Sequence, residues 1–286
     1  MINVSLRVRR AVAQDHDQIA NLIVYEPNSH RHLDWHTTLE WIGSPYYWVL
    51  EEDGRIVAAL ACPEDPPHVA WVRFFGYHQN LSGHQAWSSL WEVARNEIMH
   101  ANIQTHIAAI VVKQWFQTIL LSSGFELKQN IILLELMNEN IRLFSAPQRI
   151  RIRPMQDADL PAVVKVDLAA FGQFWHNTAD TIQKARLQCA SATVAEDNSG
   201  VIGYQLSTKN PLGAHLARLG VQPEAQGRGV GSALVSDLIQ SLGVSQLSRL
   251  SVNTQAENAA SLALYKKLGF IRTGEHFPVL VFPIGV

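Results

Sequence analysis

One stretch, residues 215–238, constrains the fold most, because its periodicity changes from that of a strand to that of a helix. Leu219 and Val221 alternate with Arg218 and Gly220, which is typical of a half-buried strand. Pro223 ends that strand, since proline has no N–H to donate to a sheet. Beyond a glycine loop, the apolar residues follow the spacing of an amphipathic helix: Leu234, Val235, Leu238, Ile239 and Leu242.

The loop between strand and helix carries Gly227, Gly229 and Gly231. Three glycines in one loop indicate that a ligand or another part of the chain approaches the backbone closely, or that the backbone adopts dihedral angles that other residues avoid. The loop leads into a helix N-terminus, where backbone N–H groups lack partners and the helix dipole is positive. This combination favours a phosphate or pyrophosphate group, with a tight turn made only for geometry as the open alternative.

Two familiar phosphate loops do not fit the stretch. Ser232 follows Gly231 directly, so the lysine of the nucleoside-triphosphate loop is absent. Ser232 also takes the place of the last glycine of the dinucleotide fingerprint, and the next predicted strand, Leu247 to Val252, ends without an acid for a ribose.

The loop and a second stretch downstream together resemble one family. Gln226, Gly229 and Gly231 resemble motif A of the GCN5-related N-acetyltransferase (GNAT) family, Arg/Gln-x-x-Gly-x-Gly/Ala. The stretch from Asn258 through Tyr265 to Gly269-Phe270 resembles its motif B. Because both motifs occur in order, the resemblance is much more specific than either motif alone.

The predicted elements occur twice along the chain, and the second set follows the order of the first. Subtracting 145 from the numbers of Gly269-Phe270 gives Gly124-Phe125. We therefore expect an α/β (α+β) protein of two tandem GNAT-like domains, each a mixed, mostly antiparallel sheet flanked by helices. Residues 1–137 form a degenerate copy without the cofactor signature, 138–149 a linker, and 150–286 the catalytic N-acetyltransferase domain.

The N-terminal copy keeps the apolar pattern but loses the signature. With the same offset, Gly229 falls on His84, Tyr265 on Leu120 and Asn258 on Lys113. Seven of the eight tryptophans belong to this half, which favours packing in the core over a ligand site or an interface.

The resemblance implies acetyl-CoA as cofactor and direct transfer of its acetyl group to a primary amine of a small molecule or peptide in a ternary complex. It implies Tyr265 as the acid that protonates the leaving thiolate. It assigns the pantetheine arm to the strand residues Leu219, Gly220 and Val221, and further cofactor contacts to Asn253, Asn258 and Ser261. Asn258 is also a candidate N-cap of the helix that follows it, alone or together with the cofactor contact. The pyrophosphate would lie on the loop and helix start: Gln226, Gly227, Arg228, Gly229, Val230, Gly231 and Ser232.

The general base is left open, because the strand before motif A contains no acid. Candidates by residue type are His215, Glu196, Asp167 and His176. The aromatic stretch from Phe171 to His176 is expected to help define the acceptor.

Composition limits the partners. The net charge of −2 and a pI near 6.6 give no basic field for nucleic acid or an anionic membrane. Cys62 and Cys189 make no metal or disulfide pattern, which suits a cytoplasmic protein, and we expect no metal and a monomer or homodimer. Two other classes stay open: a non-catalytic acyl-CoA sensor, and an interaction protein with an apolar surface around Trp35, Trp41 and Trp48.

Overall fold

A computed structural model describes residues 6–32, 34–101, 104–244 and 247–283. The helices are α1 (His16–Tyr25), α2 (Gly83–Ala101), α3 (Gln114–Ser122), α4 (Leu160–Trp175), α5 (Ala179–Gln188), α6 (Val230–Leu242) and α7 (Ala259–Leu268). The strands are β1 (Leu6–Arg10), β2 (Ser29–Arg31), β3 (Tyr47–Glu52), β4 (Arg55–Ala61), β5 (Val69–Trp71), β6 (Phe74–Tyr77), β7 (His106–Ile110), β8 (Glu126–Met137), β9 (Arg151–Pro154), β10 (Ser191–Asp197), β11 (Gly200–Asn210), β12 (Gly213–Val221), β13 (Arg249–Gln255) and β14 (Ile271–Phe282).

The chain divides into two compact units. Unit 1 contains the residues up to Lys128 and those from Pro278 onward, and unit 2 contains Gln129–Phe277. Unit 1 has antiparallel strands in the order β1-β3-β4-β6-β2, and a parallel pair, β5 and β7. Unit 2 has the order β14-β8-β13-β12-β11-β10-β9, with β14 contributing its residues up to Phe277, and β12 and β13 pair in parallel. The predicted class, mixed and mostly antiparallel sheets flanked by helices, is confirmed.

The last strand of each half pairs outside its own half. Most of β8 lies in unit 2 and pairs with β13, from Ile131 opposite Gln255 to Met137 opposite Arg249. The end of β14 lies in unit 1, where it pairs with β7. The compact units thus differ from the predicted domains 1–137 and 150–286 in these two strands, and residues 138–149, predicted as a linker, belong to unit 2. A sequence repeat shows that each half has such a strand, but not which neighbour it joins.

A partly buried ionic clamp occurs in both units at matching positions. In unit 1, Arg9 binds Asp15 and Glu51, each at 2.7 Å. In unit 2, Arg153 binds Asp159 at 2.7 Å and Glu196 at 2.8 Å. The arginine is the largest cause of the lowered pKa of each aspartate. The clamp ties β1 to the start of α1 and to β3 in unit 1, and β9 to the start of α4 and to β10 in unit 2, which supports the predicted duplication.

The tryptophans of unit 1 mostly fill its core. Trp48 and Trp87 are fully buried, and Trp71 and Trp91 nearly so. Trp87 stacks on Trp91 with ring centroids 5.4 Å apart. The apolar surface expected for an interaction protein therefore lacks Trp48. No helix in the described ranges is apolar and long enough to cross a bilayer.

Candidate active site

The neighbours β12 and β13 separate part of the way along their length. They pair in parallel only at Ala214, His215 and Leu216, opposite Leu250, Ser251 and Val252. Beyond Leu216, β12 continues along β11, whereas β13 continues along β8. Among the described residues, no strand pairs with this edge of β12 beyond Leu216, and we call the opening the β12–β13 gap.

The backbone of Leu219 and Val221 faces this gap. Gln222 N–H donates to Ile202 C=O on the β11 side, at 2.9 Å. Because hydrogen-bonding sides alternate along an antiparallel pair, the N–H and C=O groups of Val221 and Leu219 point away from β11. Gly220 has a different role, since a Cβ at this position would lie 2.7 Å from the ring of the buried Tyr204. The predicted trio thus provides two residues with gap-facing backbone groups and one that leaves room for a side chain.

The glycine loop ends at the N-terminus of α6. Gly227 and Gly229 have φ of 73° and 87°, in the left-handed region that favours glycine. Ala233 N–H donates to the C=O of the N-cap Gly229 at 3.0 Å, so the N–H groups of Val230, Gly231 and Ser232 precede the first helical bond. Three backbone donors and a positive dipole therefore meet at this end of a 13-residue helix.

Two predicted cofactor residues already have protein partners. Gln226 Nε2 donates to Val221 C=O at 3.2 Å, so one of the gap-facing carbonyls is occupied from the loop. Arg228 Nη2 binds Asp197 Oδ2 at 3.1 Å, although about half of the arginine side chain is exposed. In this structure Gln226 supports the loop, and Arg228 is held beside the β10–β11 turn.

Helix α7 carries the residues of the second motif. Asn258 caps it, and its Oδ1 accepts the Ser261 N–H at 3.0 Å. Tyr265 is buried, its ring centroid lies 5.3 Å from that of Phe270, and burial raises the pKa of its hydroxyl. A Cβ at Gly231 would lie 3.1 Å from Leu264, so the glycine lets α6 and α7 pack closely. Asn253, by contrast, is exposed on β13.

A bulge in β12 changes which face of the sheet each of its side chains occupies. Leu206 pairs with Arg218 and Ser207 with Leu216, which leaves Ala217 as the extra residue. Leu216 and Leu219 pack into the core formed with α6 and α7. Arg218 lies on the opposite face, where it contacts Asp167 and Phe171 of α4.

His215 lies on the α4 face of β12 as well. Its Nδ1 is 2.9 Å from Ser251 Oγ, and Ser251 lies between Leu250 and Val252, which point into the α6–α7 core. Burial lowers the pKa of His215 below its ordinary value of 6.5. Ser251 was missed by the sequence reasoning, because a serine in a strand gives no signal of its partner.

The other candidate bases already form ion pairs or lie at hydrogen-bond distance from protein groups. Asp167 is fully buried and binds Arg218, the Tyr204 hydroxyl and the Asn177 N–H. Glu196 belongs to the Arg153 clamp. His176 Nδ1 lies 3.0 Å from Gln173 C=O.

Unit 1 has the same gap, but its own chain fills it. Val72 N–H donates to Ala108 of β7, whereas Arg73 N–H donates to Ala61 of β4, so the strand pair separates there. The strand β2 then pairs with the free edge of β6, from Arg31 opposite Phe74 to Ser29 opposite Gly76. With the offset of 145, Phe74 and Gly76 correspond to Leu219 and Val221.

The central residue of β2 is buried in this gap. His30 stacks on Phe116 of α3 with centroids 4.3 Å apart, and its Nε2 lies 3.3 Å from Val72 C=O. Burial lowers its pKa to about 4. The strand β2 was not predicted from the sequence.

Part of the chain that carries this site matches the model of a known family. Residues 160–270 match the family model described as acetyltransferase (GNAT) family. A mycothiol acetyltransferase of Kocuria rhizophila is 32% identical over 148 residues, which cover 45% of this chain and 48% of that protein. One of Amycolatopsis mediterranei is 34% identical over 137 residues, which cover 42% and 44%. The chain therefore matches about half the length of these curated relatives.

Two solved structures are similar over nearly the whole chain. A tandem GNAT protein from the clavulanic acid biosynthesis pathway has a TM-score of 0.65 at 16% identity and covers 99% of both chains. A GCN5-related N-acetyltransferase from Sphaerobacter thermophilus has a TM-score of 0.62 at 15% identity and covers 96% of this chain and 95% of that one. At these identities the likeness concerns the fold alone.

Proposed function

We propose that this chain, which carries a domain of the GNAT acetyltransferase family over residues 160–270, transfers an acetyl group from acetyl-CoA to a primary amine. The observation that carries the proposal is the β12–β13 gap next to the N-terminus of α6. An open strand edge beside a helix N-terminus suits a long ligand that has amide groups at one part and phosphates at another.

The residues present fit acetyl-CoA as the donor. The N–H groups of Val230, Gly231 and Ser232 would hold the pyrophosphate, and the backbone of Leu219 and Val221 would hold the amides of the pantetheine arm. Bound acetyl-CoA supplies the acetyl group as a thioester. Gly227 and Gly229 keep side chains out of the loop, and Gly220 leaves room for the Tyr204 ring.

His215 is the proposed general base. A primary amine must lose a proton to attack, and it is mostly charged at neutral pH. Because burial lowers the His215 pKa, the imidazole is neutral at pH 7 and can accept that proton. Ser251 Oγ also lies 3.4 Å from Ala214 C=O, so it can donate there and accept Nδ1–H, which leaves Nε2 as the basic nitrogen.

Tyr265 is the proposed acid. Its pKa is raised by burial, so the hydroxyl stays protonated and can donate to the leaving sulfur. It belongs to the α6–α7 core, whereas His215 lies on the α4 face. A proton would thus be taken from the amine on one face of the gap and given to sulfur on the other.

The acceptor is proposed to be a small molecule or peptide that bears a primary amine. The relatives named mycothiol acetyltransferase support a small-molecule acceptor, but they match this chain over only part of their length. We therefore propose the class of acceptor without naming a compound.

Thiol release from acetyl-CoA, measured with a panel of primary amines, tests the proposal. We expect amine-dependent release in the wild type, and a loss of about 100-fold or more in kcat for His215→Gln and for Tyr265→Phe. His84→Gln, at an exposed position of unit 1, is the matched control and should keep full activity. Acetyl-CoA binding without turnover by any amine would support a non-catalytic sensor instead.

A further inference from the structure

A charged pair is buried next to the proposed site without being needed for the transfer chemistry. The Asp167 side chain is fully buried, and that of Arg218 is only 14% exposed. Arg218 Nε donates to Asp167 Oδ2 at 2.8 Å and its Nη2 donates to Oδ1 at 3.0 Å, which is a two-point contact. Taking two charges out of water costs free energy, so such a pair indicates that the position of the surrounding chain must be fixed.

The pair contacts the chain on both sides of a break in α4. Gly172 has φ 68° and ψ 178°, values that interrupt the helix, and the chain turns away after it. Three contacts fix this turn to the pair. Arg218 Nη2 donates to Trp175 C=O at 2.6 Å, Asn177 N–H donates to Asp167 Oδ1 at 2.6 Å, and the Phe171 ring lies 3.5 Å from the guanidinium carbon. Residues 171–177, the 171–177 segment, are thus anchored on both sides of the break.

The position of Arg218 connects this segment to the proposed chemistry. Arg218 precedes Leu219, whose backbone faces the β12–β13 gap. Because of the bulge at Ala217, Arg218 shares the α4 face with His215. The 171–177 segment therefore lies on the face from which the amine would approach the base.

We infer that the Arg218–Asp167 pair positions the 171–177 segment as the wall of the acceptor site and thereby determines which amines fit. The inference rests on the proposed function. Arg218 and Asp167 are positioning residues, since they act through the segment. Their charges cancel, so neither offers an ionic partner to the acceptor, and the segment contains the aromatic residues Phe171, Phe174 and Trp175. The expected acceptor is a primary amine with an uncharged, partly apolar body.

The test compares two Arg→Lys variants in unit 2. Arg218→Lys keeps the charge but loses the fork that binds Asp167 and Trp175 together. Arg153→Lys removes the same kind of fork from the clamp with Asp159 and Glu196. We expect both to lower Tm, but only Arg218→Lys to raise the acceptor KM, by about 10-fold or more, and to change the ranking of amines. The Kd of acetyl-CoA should stay within about 2-fold in both.

Gly172→Ala provides a second variant that leaves the pair in place. A Cβ there would meet no atom within 4 Å, but φ of 68° strains alanine, so the substitution alters the segment alone. We expect the same rise in acceptor KM. Equal effects of Arg218→Lys and Arg153→Lys on acceptor KM, or unchanged KM in both Arg218→Lys and Gly172→Ala, would overturn the inference. Failure of the proposed function would be distinct, since the wild type would then show no turnover.

Discussion

The stability of unit 1 should fall between pH 7.5 and pH 5 because of His30. This imidazole has a pKa of about 4 in the folded protein, since its burial against Phe116 disfavours the charged form, and its ordinary value is 6.5. At pH 7.5 it is neutral in both states, so it contributes no pH dependence there. As the pH falls below 6.5, the unfolded chain binds a proton that the folded chain cannot, and stability is lost.

The size of the effect follows from these two pKa values. At pH 5 the unfolded imidazole is almost fully protonated and the folded one is mostly neutral, which corresponds to about 2 kcal/mol of lost unfolding free energy. His32 shifts in the same direction, chiefly through burial, and adds to the loss.

Urea unfolding followed by tryptophan fluorescence measures this loss in the right unit, because seven of the eight tryptophans belong to unit 1. His30→Gln keeps a side-chain donor for Val72 C=O but cannot titrate. We expect the variant to be less stable at pH 7.5 and to lose about 2 kcal/mol less than the wild type on going to pH 5. The same pH dependence in both proteins would refute the burial of a neutral His30 in the gap of unit 1.

Three further predictions concern unit 2. The acid limb of the kcat/KM profile should lie below pH 6.5, because burial lowers the His215 pKa. Ser251→Ala removes the hydroxyl beside His215 Nδ1, and its pH–rate profile should show reduced activity at every pH. Asn258→Ala should lower the unfolding free energy by about 1 kcal/mol through loss of the α7 cap, as measured by thermal unfolding, and an unchanged Tm would contradict that role. Gly220→Ala should weaken acetyl-CoA binding as measured by calorimetry. The alanine Cβ would lie 2.7 Å from the Tyr204 ring, so the ring or the strand must shift. Unaltered binding would show that the strand tolerates the change.

The sequence predicted the features of the fold that depend on local pattern. The change from strand to helix spacing across residues 215–238 appears as β12 and α6, and the Asn258 cap begins α7 as the motif suggests. These predictions succeeded because glycines with positive φ, caps and apolar periodicity act within a few residues of the chain.

The features that were missed depend on contacts between distant residues. The strand β2 contains Ser29, His30 and Arg31, a sequence without strand periodicity, and it forms because the edge of β6 is free. The bulge at Ala217 and the pairing of Arg218 with Asp167, 51 residues apart, likewise have no local signature. An arginine inside a mostly apolar strand was the available signal, but it does not identify its partner.

The partners of the last strand in each half could not be predicted from the sequence either. Both halves end in an apolar strand, and the pattern of β8 and β14 is compatible with either unit. Pairing with β13 or with β7 is decided by which edge each strand reaches after folding. The offset of 145 therefore leaves the partners of these last strands undetermined.

The central claim is that the cofactor binds only in unit 2, because β2 closes the gap of unit 1. Calorimetric titration of acetyl-CoA and of CoA into the full chain tests it, with Gly229→Trp as the site variant and His84→Trp at the matching exposed position of unit 1 as the control. We expect one site per chain, lost in Gly229→Trp and kept in His84→Trp, with circular dichroism like that of the wild type for both. Two sites per chain, or one site that persists in Gly229→Trp, would contradict the claim.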